Sequence, residues 1–539
     1  MQKITEIADQ SYLQLTLVFI ILVLLSNLGV LTLPIDYQLF IIVLPLLAIP
    51  ALLLAKPFGL KGFKGTFPVL LIAFVFALLI RLIPHFQNSI PLGYDPGFYK
   101  YTMELYAESL PQIPEAGLAE WIKSMYPQGL FVLSDVMHII AGTNGLQLIN
   151  YALACLGAFL VFPVFIVTRN LFGSRAGLIA AVLYAISYTQ FGVFYMCYFK
   201  NVLGLAFLLF SIYALEKKKY GLMAITFAGL GIFHRPEFLI FALILIPYFA
   251  LHRRKGIVFG VLGAAILIAP FWIPRLETNW STLSSVVDTA IINVQTGNAP
   301  GSGGTFLSFA YYREVSLVYF PFALMGGIYL AIKRNWNSVF FYFVINSLIV
   351  VFELFFYKRL IIPLDIAMVI LAAVGIEYAI LQRTKIPKVA LIVFVVLIIV
   401  TAGVPAIDMG RESRPFISEE QLEAVEWIKE NTEDEAFILA TSYDAPWVLG
   451  WSERRVIAPG IFEWDRHGEE EWLEFLGTQD ANVAGELLED YLEAYHEPIY
   501  IYYSGDKPGN YFVLQKFDDE RFQEVYSRDA VIHKYLGGV

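Results

Sequence analysis

Thr66-Phe67-Pro68-Val69-Leu70-Leu71-Ile72-Ala73-Phe74-Val75-Phe76-Ala77-Leu78-Leu79-Ile80-Arg81-Leu82-Ile83 is a nearly uncharged run, and Gly93-Tyr94-Asp95-Pro96-Gly97-Phe98-Tyr99 follows shortly after it. The run is long enough to cross about 30 Å of hydrocarbon as a helix. The second stretch opens the first long polar segment of the chain. A carboxylate just past the end of a spanning helix sits at the membrane surface, where its charge is tolerated and where it meets lipid-carried molecules. Asp95 is therefore a candidate catalytic base, and a possible metal ligand. Tyr94, Phe98, Tyr99 and Tyr101 surround it with rings that favour the interface and stack on sugar faces, so Tyr94 and Tyr99 are candidate sugar contacts. The same residues also spell a helix start, with Asp95 as cap and Pro96 in the first turn.

Outward from this stretch, composition sets the class. The 539 residues are 58% hydrophobic and only 16% charged, with a mean hydropathy of +0.64, which identifies a polytopic α-helical membrane protein rather than a soluble one. Charge divides it: residues 411–539 hold 29 acidic and 11 basic residues, a net of −18, which leaves +8 for residues 1–410. Two domains are expected at that break, a membrane domain over 1–410 and an α/β domain over 411–539. Cys155 and Cys197 are too few for a disulfide framework or a cysteine metal site.

Apolar runs predict about thirteen transmembrane helices, near 11–33, 37–55, 66–84, 145–167, 177–196, 201–215, 221–233, 237–251, 256–274, 315–332, 337–356, 360–381 and 388–405. The first ten residues lack the features of a cleaved signal, so the first span is expected to be retained. Alternate short loops carry Lys56, Lys61 and Lys64; Arg169 and Arg175; Lys217, Lys218 and Lys219; Arg253, Arg254 and Lys255; Lys333 and Arg334; and Arg383, Lys385 and Lys388. Such clusters mark the cytoplasmic side. The N-terminus then falls inside, and the Asp95 segment and the acidic C-terminal domain fall outside.

The cations that break this rule lie at span ends on the exterior side: Lys200, His234 with Arg235, Arg275, Arg313, and Lys358 with Arg359. Singly, each is explained by snorkelling. Together they suit a phosphate or diphosphate, for which Arg supplies a planar fork and Lys a point charge. In the first exterior segment, Glu104 is a candidate acceptor contact, although its spacing from Lys100 is also that of a helical ion pair. Tyr126 to Ala141 is apolar but too short to span, which suggests an interfacial or re-entrant helix, with Asp135 on an inward or a solvated face. The Gly-rich stretch Gly297 to Thr305 has the composition of a mobile loop, a lid or a connector.

Beyond Pro405, Ser418-Glu419-Glu420-Gln421 has the form of a capping box before a helix through Ile428. Phe437 to Ala440 and Ile499 to Tyr503 read as buried strands, and Ala484 to Tyr495 as a helix. The stretch from Thr441 to Arg455 follows a strand and gathers aromatic and charged residues; Asp444 and Trp447 in it are candidate acceptor-binding residues, since such folds place ligands at strand ends.

The large exterior loop with Asp95 among aromatics, Tyr126-Pro127-Gln128-Gly129, His234-Arg235-Pro236, Lys358-Arg359-Leu360-Ile361-Ile362-Pro363 and an exterior α/β domain together resemble the GT-C superfamily. That superfamily includes protein O-mannosyltransferases, aminoarabinose transferases and oligosaccharyltransferase catalytic subunits. The resemblance implies an inverting, membrane-embedded glycosyltransferase that uses a polyprenyl-phosphate sugar donor, such as a dolichyl phosphate sugar, on the extracytoplasmic face of a multi-pass protein. The acceptor would be a glycan, a lipid or a protein. Asp95 matches the loop carboxylate that acts as base or orients the acceptor. Arg359, with Lys358, matches the late basic residue near the donor phosphate; Arg235, Lys200 and His234 complete that candidate set. In many relatives the key Asp follows the first span, whereas here it follows the third. The Trp-Trp-Asp-Tyr-Gly signature is absent, and no Asp-X-Asp pattern marks a site for Mg or Mn, so the cofactor is left open. No Walker or Rossmann glycine pattern is present, and nothing points to nucleic acid. A transporter or lipid flippase and a non-catalytic scaffold are the competing classes, although the sequence holds no convincing internal repeat.

Overall fold

The computed structural model describes residues 67–110, 118–281, 284, 308–354, 357–382, 403–458, 461–462, 464–505 and 512–537. The first two expected spans, the Gly-rich stretch and most of the last span lie outside the described residues. The chain divides into two compact units, one formed by Met1–Gln87 with Pro127–Ser413 and the other by Asn88–Tyr126 with Arg414–Val539.

The first unit is helical because a segment in hydrocarbon must satisfy its own backbone hydrogen bonds. Among the described residues six helices are long and apolar enough to cross a membrane: Phe67–Gln87, Gly145–Phe172, Phe199–Glu216, Arg235–His252, Lys255–Ser281 and Tyr357–Tyr378. A seventh candidate is a pair, Ser174–Ala185 and Tyr188–Tyr195, bent by 48°. Tyr220–Phe233, Phe320–Ile332 and Ser338–Val351 lie at expected spans but are shorter than the length that crosses a membrane. The expected interfacial segment forms the 13-residue helix Gly129–Ala141.

Carboxylates and amides pin this bundle at its ends. Glu216 accepts 2.7 Å bonds from both the backbone N–H and the hydroxyl of Ser338, while the Asn337 side chain caps the same helix at Phe340. Helix starts leave N–H groups without intrahelical acceptors, and these two side chains supply them.

The second unit carries a five-stranded sheet. Its strands are β1 (Phe437–Leu439), β2 (Arg455–Ile457), β3 (Ile499–Tyr503), β4 (Phe522–Ser527) and β5 (Val531–Tyr535), in the order β2-β1-β3-β5-β4. β1 runs parallel to β2 and β3, and β5 is antiparallel to β3 and β4. Alternate residues face opposite layers. Phe437, Leu439, Ile499 and Ile501 join Trp472 and Leu488 in one apolar core. On the other face Tyr502 donates to Gln421 O at 3.3 Å, in the helix Glu419–Asn431. That helix starts with the expected capping box, both reciprocal bonds of which are formed. The α/β reading of the region holds, with β1 and β3 where the sequence places strands.

Candidate functional site

In the second unit, Asp95 precedes the helix Pro96–Glu108 and Pro96 opens it, as a helix start requires; the Asp95 side chain, however, makes no capping bond. Gly93 just before it has φ +94°, a backbone conformation open to glycine. The helix Pro96–Glu108 lies directly on the helix Ala445–Ser452. A Cβ on Gly97 would stand 1.7 Å from Pro446 O, so the two backbones touch there. Lys100 Nζ, one turn on, donates to Gly450 O at 2.8 Å and pairs with Glu104 at 2.7 Å. The spacing read as a helical ion pair is one. Burial raises the Glu104 carboxyl above the usual range, against the pull of Lys100.

The stretch Thr441 to Arg455, read from sequence as a ligand-binding loop, is largely this helix. Asp444 precedes it with Pro446 in the first turn, an arrangement that favours helix over loop. Asp444 is 2% exposed and its Oδ2 accepts from Thr441 Oγ1 at 3.1 Å and Ser504 Oγ at 2.9 Å. Thr441 and Ser504 follow the parallel strands β1 and β3, so Asp444 ties their carboxyl ends together. Tyr94 donates to Ser442 O, and its ring lies 6.4 Å from that of Tyr443. The structure thus brings the Asp95 segment and the strand-end segment, proposed separately, into one place. Tyr99 is fully buried with its ring against Tyr126. Trp447 is buried, stacks on Trp451 at 5.0 Å, and its indole N–H meets no acceptor among the described residues. Arg454 is a scaffold residue: it donates to Lys429 O at 2.7 Å and Thr432 O at 3.0 Å, closing the end of the helix Glu419–Asn431.

In the first unit, the cations meet at His234. This residue joins the helices Tyr220–Phe233 and Arg235–His252 in extended backbone, is 2% exposed, and contacts Glu237 on the next turn. Lys200, Arg235 and Arg359 lie within electrostatic reach of its ring, and Arg275 within reach of Arg235. Lys200, Arg235, Lys358 and Arg359 are half-buried. Gly204, one turn past Lys200, makes room for the imidazole: a Cβ there would lie 2.7 Å from His234 Cβ and 3.2 Å from its Nδ1. Gly129 of Tyr126-Pro127-Gln128-Gly129 lies against Ile232, two residues before His234. Three expected phosphate contacts from three helices therefore lie within electrostatic reach of a fourth.

Sequence reading missed three charged groups in this unit. Glu237 was legible three residues after His234. Asp365, wholly buried, accepts from Ser187 Oγ and Gln190 Nε2 at 2.9 Å, from Tyr312 at 3.4 Å and from Tyr319. Arg81, also wholly buried, donates to Ala77 O and, at 3.1 Å, to Gln190 O. A lone ionisable residue in an apolar run is the available signal for both. Asp135, for which a solvated face was one reading, is buried, and its Oδ1 has no partner among the described residues. Among the described residues no group of three or more His, Cys, Asp or Glu converges to hold a metal.

The family model described as dolichyl-phosphate-mannose-protein mannosyltransferase matches residues 127–273, which contain the His234 cluster apart from Arg275 and Arg359. No curated protein sequence matches the chain. Among solved structures, the apo oligosaccharyltransferase of Archaeoglobus fulgidus is similar at 15% identity and a TM-score of 0.60, over 82% of this chain and 70% of that one. ArnT from Cupriavidus metallidurans bound to undecaprenyl phosphate is similar at 13% identity and a TM-score of 0.51, over 89% of this chain and 100% of that one. The mycobacterial arabinofuranosyltransferase AftD is similar at 12% identity and a TM-score of 0.57, over 87% of this chain and 40% of that one. The chain shares its fold with these three solved structures.

Proposed function

We propose that this GT-C-fold chain is an inverting glycosyltransferase that moves a sugar from a polyprenyl-phosphate donor to an acceptor hydroxyl on the extracytoplasmic face. The observation that carries the reading is the gathering of Lys200, Arg235 and Arg359 around His234 in a fold whose relative ArnT was solved with undecaprenyl phosphate. The description of the matched family, a transferase of mannose from dolichyl phosphate, supports the same donor class.

Displacement at an anomeric carbon needs a base for the acceptor proton and positive charge for the departing phosphate. In this reading Asp95 takes the proton. Arg359 and Arg235 grip the phosphate through planar forks, and Lys200 and Lys358 add point charges. Tyr94, Tyr99, Asp444 and Trp447 belong to the acceptor side, Tyr94 as a contact and the buried Tyr99, Trp447 and Asp444 as its support, while Glu104 serves as the ion-pair partner of Lys100. In this reading the Asp95 segment and the C-terminal domain lie outside the cell, which the distribution of Lys and Arg among the loops supports.

The test is transfer of a radiolabelled sugar from a synthetic polyprenyl-phosphate donor by the purified chain in proteoliposomes. Transfer that is lost in Asp95→Asn and Arg359→Ala, with unchanged thermal unfolding, is expected. Unimpaired transfer by Asp95→Asn overturns its role as base, and failure of the unaltered chain to bind the donor overturns the enzyme reading.

A further inference from the structure

His234 and Glu237 are the least exposed charged or titratable members of the cation cluster, at 2% and 1%, and they touch each other. A buried carboxylate held against an imidazole is costly unless the pair has a charge to share. The groups facing the imidazole come from several helices. Lys200 approaches from Phe199–Glu216 and Arg359 from Tyr357–Tyr378, while Arg235 follows in the chain with Arg275 near it. These cations oppose a proton on the ring. Glu237, in the first turn of the helix Arg235–His252, favours one. Helix N-termini also favour a negative charge, which keeps Glu237 suited to that role.

A bound phosphate changes this balance. A phosphomonoester carries about −1.5 to −2 charges at neutral pH, and a phosphodiester carries one. We propose that His234 and Glu237 form a proton-taking pair that responds to a phosphomonoester at Lys200, Arg235 and Arg359: its arrival offsets the cations, and the imidazole takes one proton between the two anionic groups. The inference rests on the donor-site reading above and adds to it a way of telling product from donor. In transfer, the bond from the anomeric carbon to the phosphate oxygen breaks, its electron pair stays on that oxygen, and the lipid phosphate changes from diester to monoester. The acceptor oxygen bonds to that carbon and loses its proton to the base, which passes it to solvent; His234 takes up one solvent proton in turn, which meets the added negative charge on the phosphate. His234 and Glu237 are thus positioning residues that act through the cations.

The experiment is calorimetric titration of the full chain in detergent at pH 7, in two buffers that differ in ionisation enthalpy, so that protons taken up on binding are counted. The probes are a short-chain prenyl monophosphate, inorganic phosphate and a dialkyl phosphate. Uptake of about one proton beyond that of the ligand itself is expected for the prenyl monophosphate and less for the diester, by linkage between the two equilibria. Inorganic phosphate giving the same uptake identifies the phosphate group alone as the trigger; uptake with the prenyl monophosphate only assigns it to the lipid. His234→Gln is expected to bind without excess uptake, and Glu237→Gln to show uptake only at lower pH. Binding with equal uptake in the unaltered chain and His234→Gln overturns the proposal and leaves the donor site standing. No binding of any phosphate by the unaltered chain overturns both. Should His234→Gln fail to fold, the pH dependence of monophosphate affinity in the unaltered chain decides: one proton linked beyond the ligand's own supports the pair, and none overturns it.

Discussion

Gly97 and Gly450 meet backbone to backbone: a Cβ on Gly450 would stand 2.3 Å from Gly97 Cα. No side chain fits at either position without parting the two helices. Ala at either one is expected to destabilise the second unit by about 1–3 kcal/mol through overpacking. The change should appear as a lower unfolding temperature in circular dichroism. An unchanged midpoint in both variants would show that the helices slide apart freely.

Asp365 gathers four donors from outside its own helix, Ser187 and Gln190 at the bend and Tyr312 and Tyr319 further along the chain. Replacing it with Ala leaves these donors without their acceptor in a buried site. A loss on the order of 3 kcal/mol or more is expected, since each buried unmade bond costs about 1–3 kcal/mol. Asn keeps one accepting oxygen but turns an NH2 toward other donors, so Asp365→Asn should fall between. Arg81→Met is expected to be non-additive with Asp365→Asn, because both side chains bond the same residue, Gln190. A double-mutant cycle on thermal unfolding in detergent measures this coupling.

Glu104 and Asp95 make opposite predictions. Glu104→Gln removes one helical ion pair, worth about 0.2–0.5 kcal/mol, and should leave most sugar transfer intact. Asp95→Asn is expected to lower transfer by about 100-fold or more, the range of a lost general base. Equal losses in the two variants would move the base away from Asp95.

Lys516 gives a pH signature to the second unit. Its Nζ donates to Thr478 O at 3.2 Å and to Val513 O, and burial pushes its pKa down to about 8. The unfolded chain therefore binds more protons than the folded one between pH 8 and the ordinary lysine value near 10.4, and stability rises with pH in that window. Below pH 8 both states carry the proton and the contribution to the slope disappears. The unfolding midpoint of the unaltered chain should climb from pH 8 to 9.5 relative to Lys516→Met. Parallel profiles for the two proteins would refute the shift.

The parts legible in the sequence were those set by local rules. The capping box at Ser418 and Gln421 and the β-branched and aromatic runs of β1 and β3 fall where the pattern puts them, because caps and periodicity depend on neighbours in the chain. The membrane helices within the described residues follow the apolar runs, though Tyr220–Phe233 and Phe320–Ile332 are shorter than a spanning length. What the sequence hid was convergence. Lys200, Arg235 and Arg359 shared only an expected side of the membrane; their meeting at His234 depends on helix packing, including the space left by Gly204. Trp447 sits on a helix and Asp444 just before its first turn, not in the expected loop, because Pro446 suits a first turn. Asp365 was passed over inside an apolar run because its four donors lie far away in the chain.

The second unit is assembled from Asn88–Tyr126 and Arg414–Val539, and this has a consequence for biosynthesis. The earlier piece leaves the ribosome roughly 290 residues before the later one begins, a wait of about 15–60 s at typical rates of synthesis. During that interval the face of Pro96–Glu108 that will receive Ala445–Ser452 has no partner in the nascent chain. A ribosome that stops short of residue 445 therefore leaves the inner face of that helix uncovered, a mark by which quality control can tell an unfinished copy from a complete one.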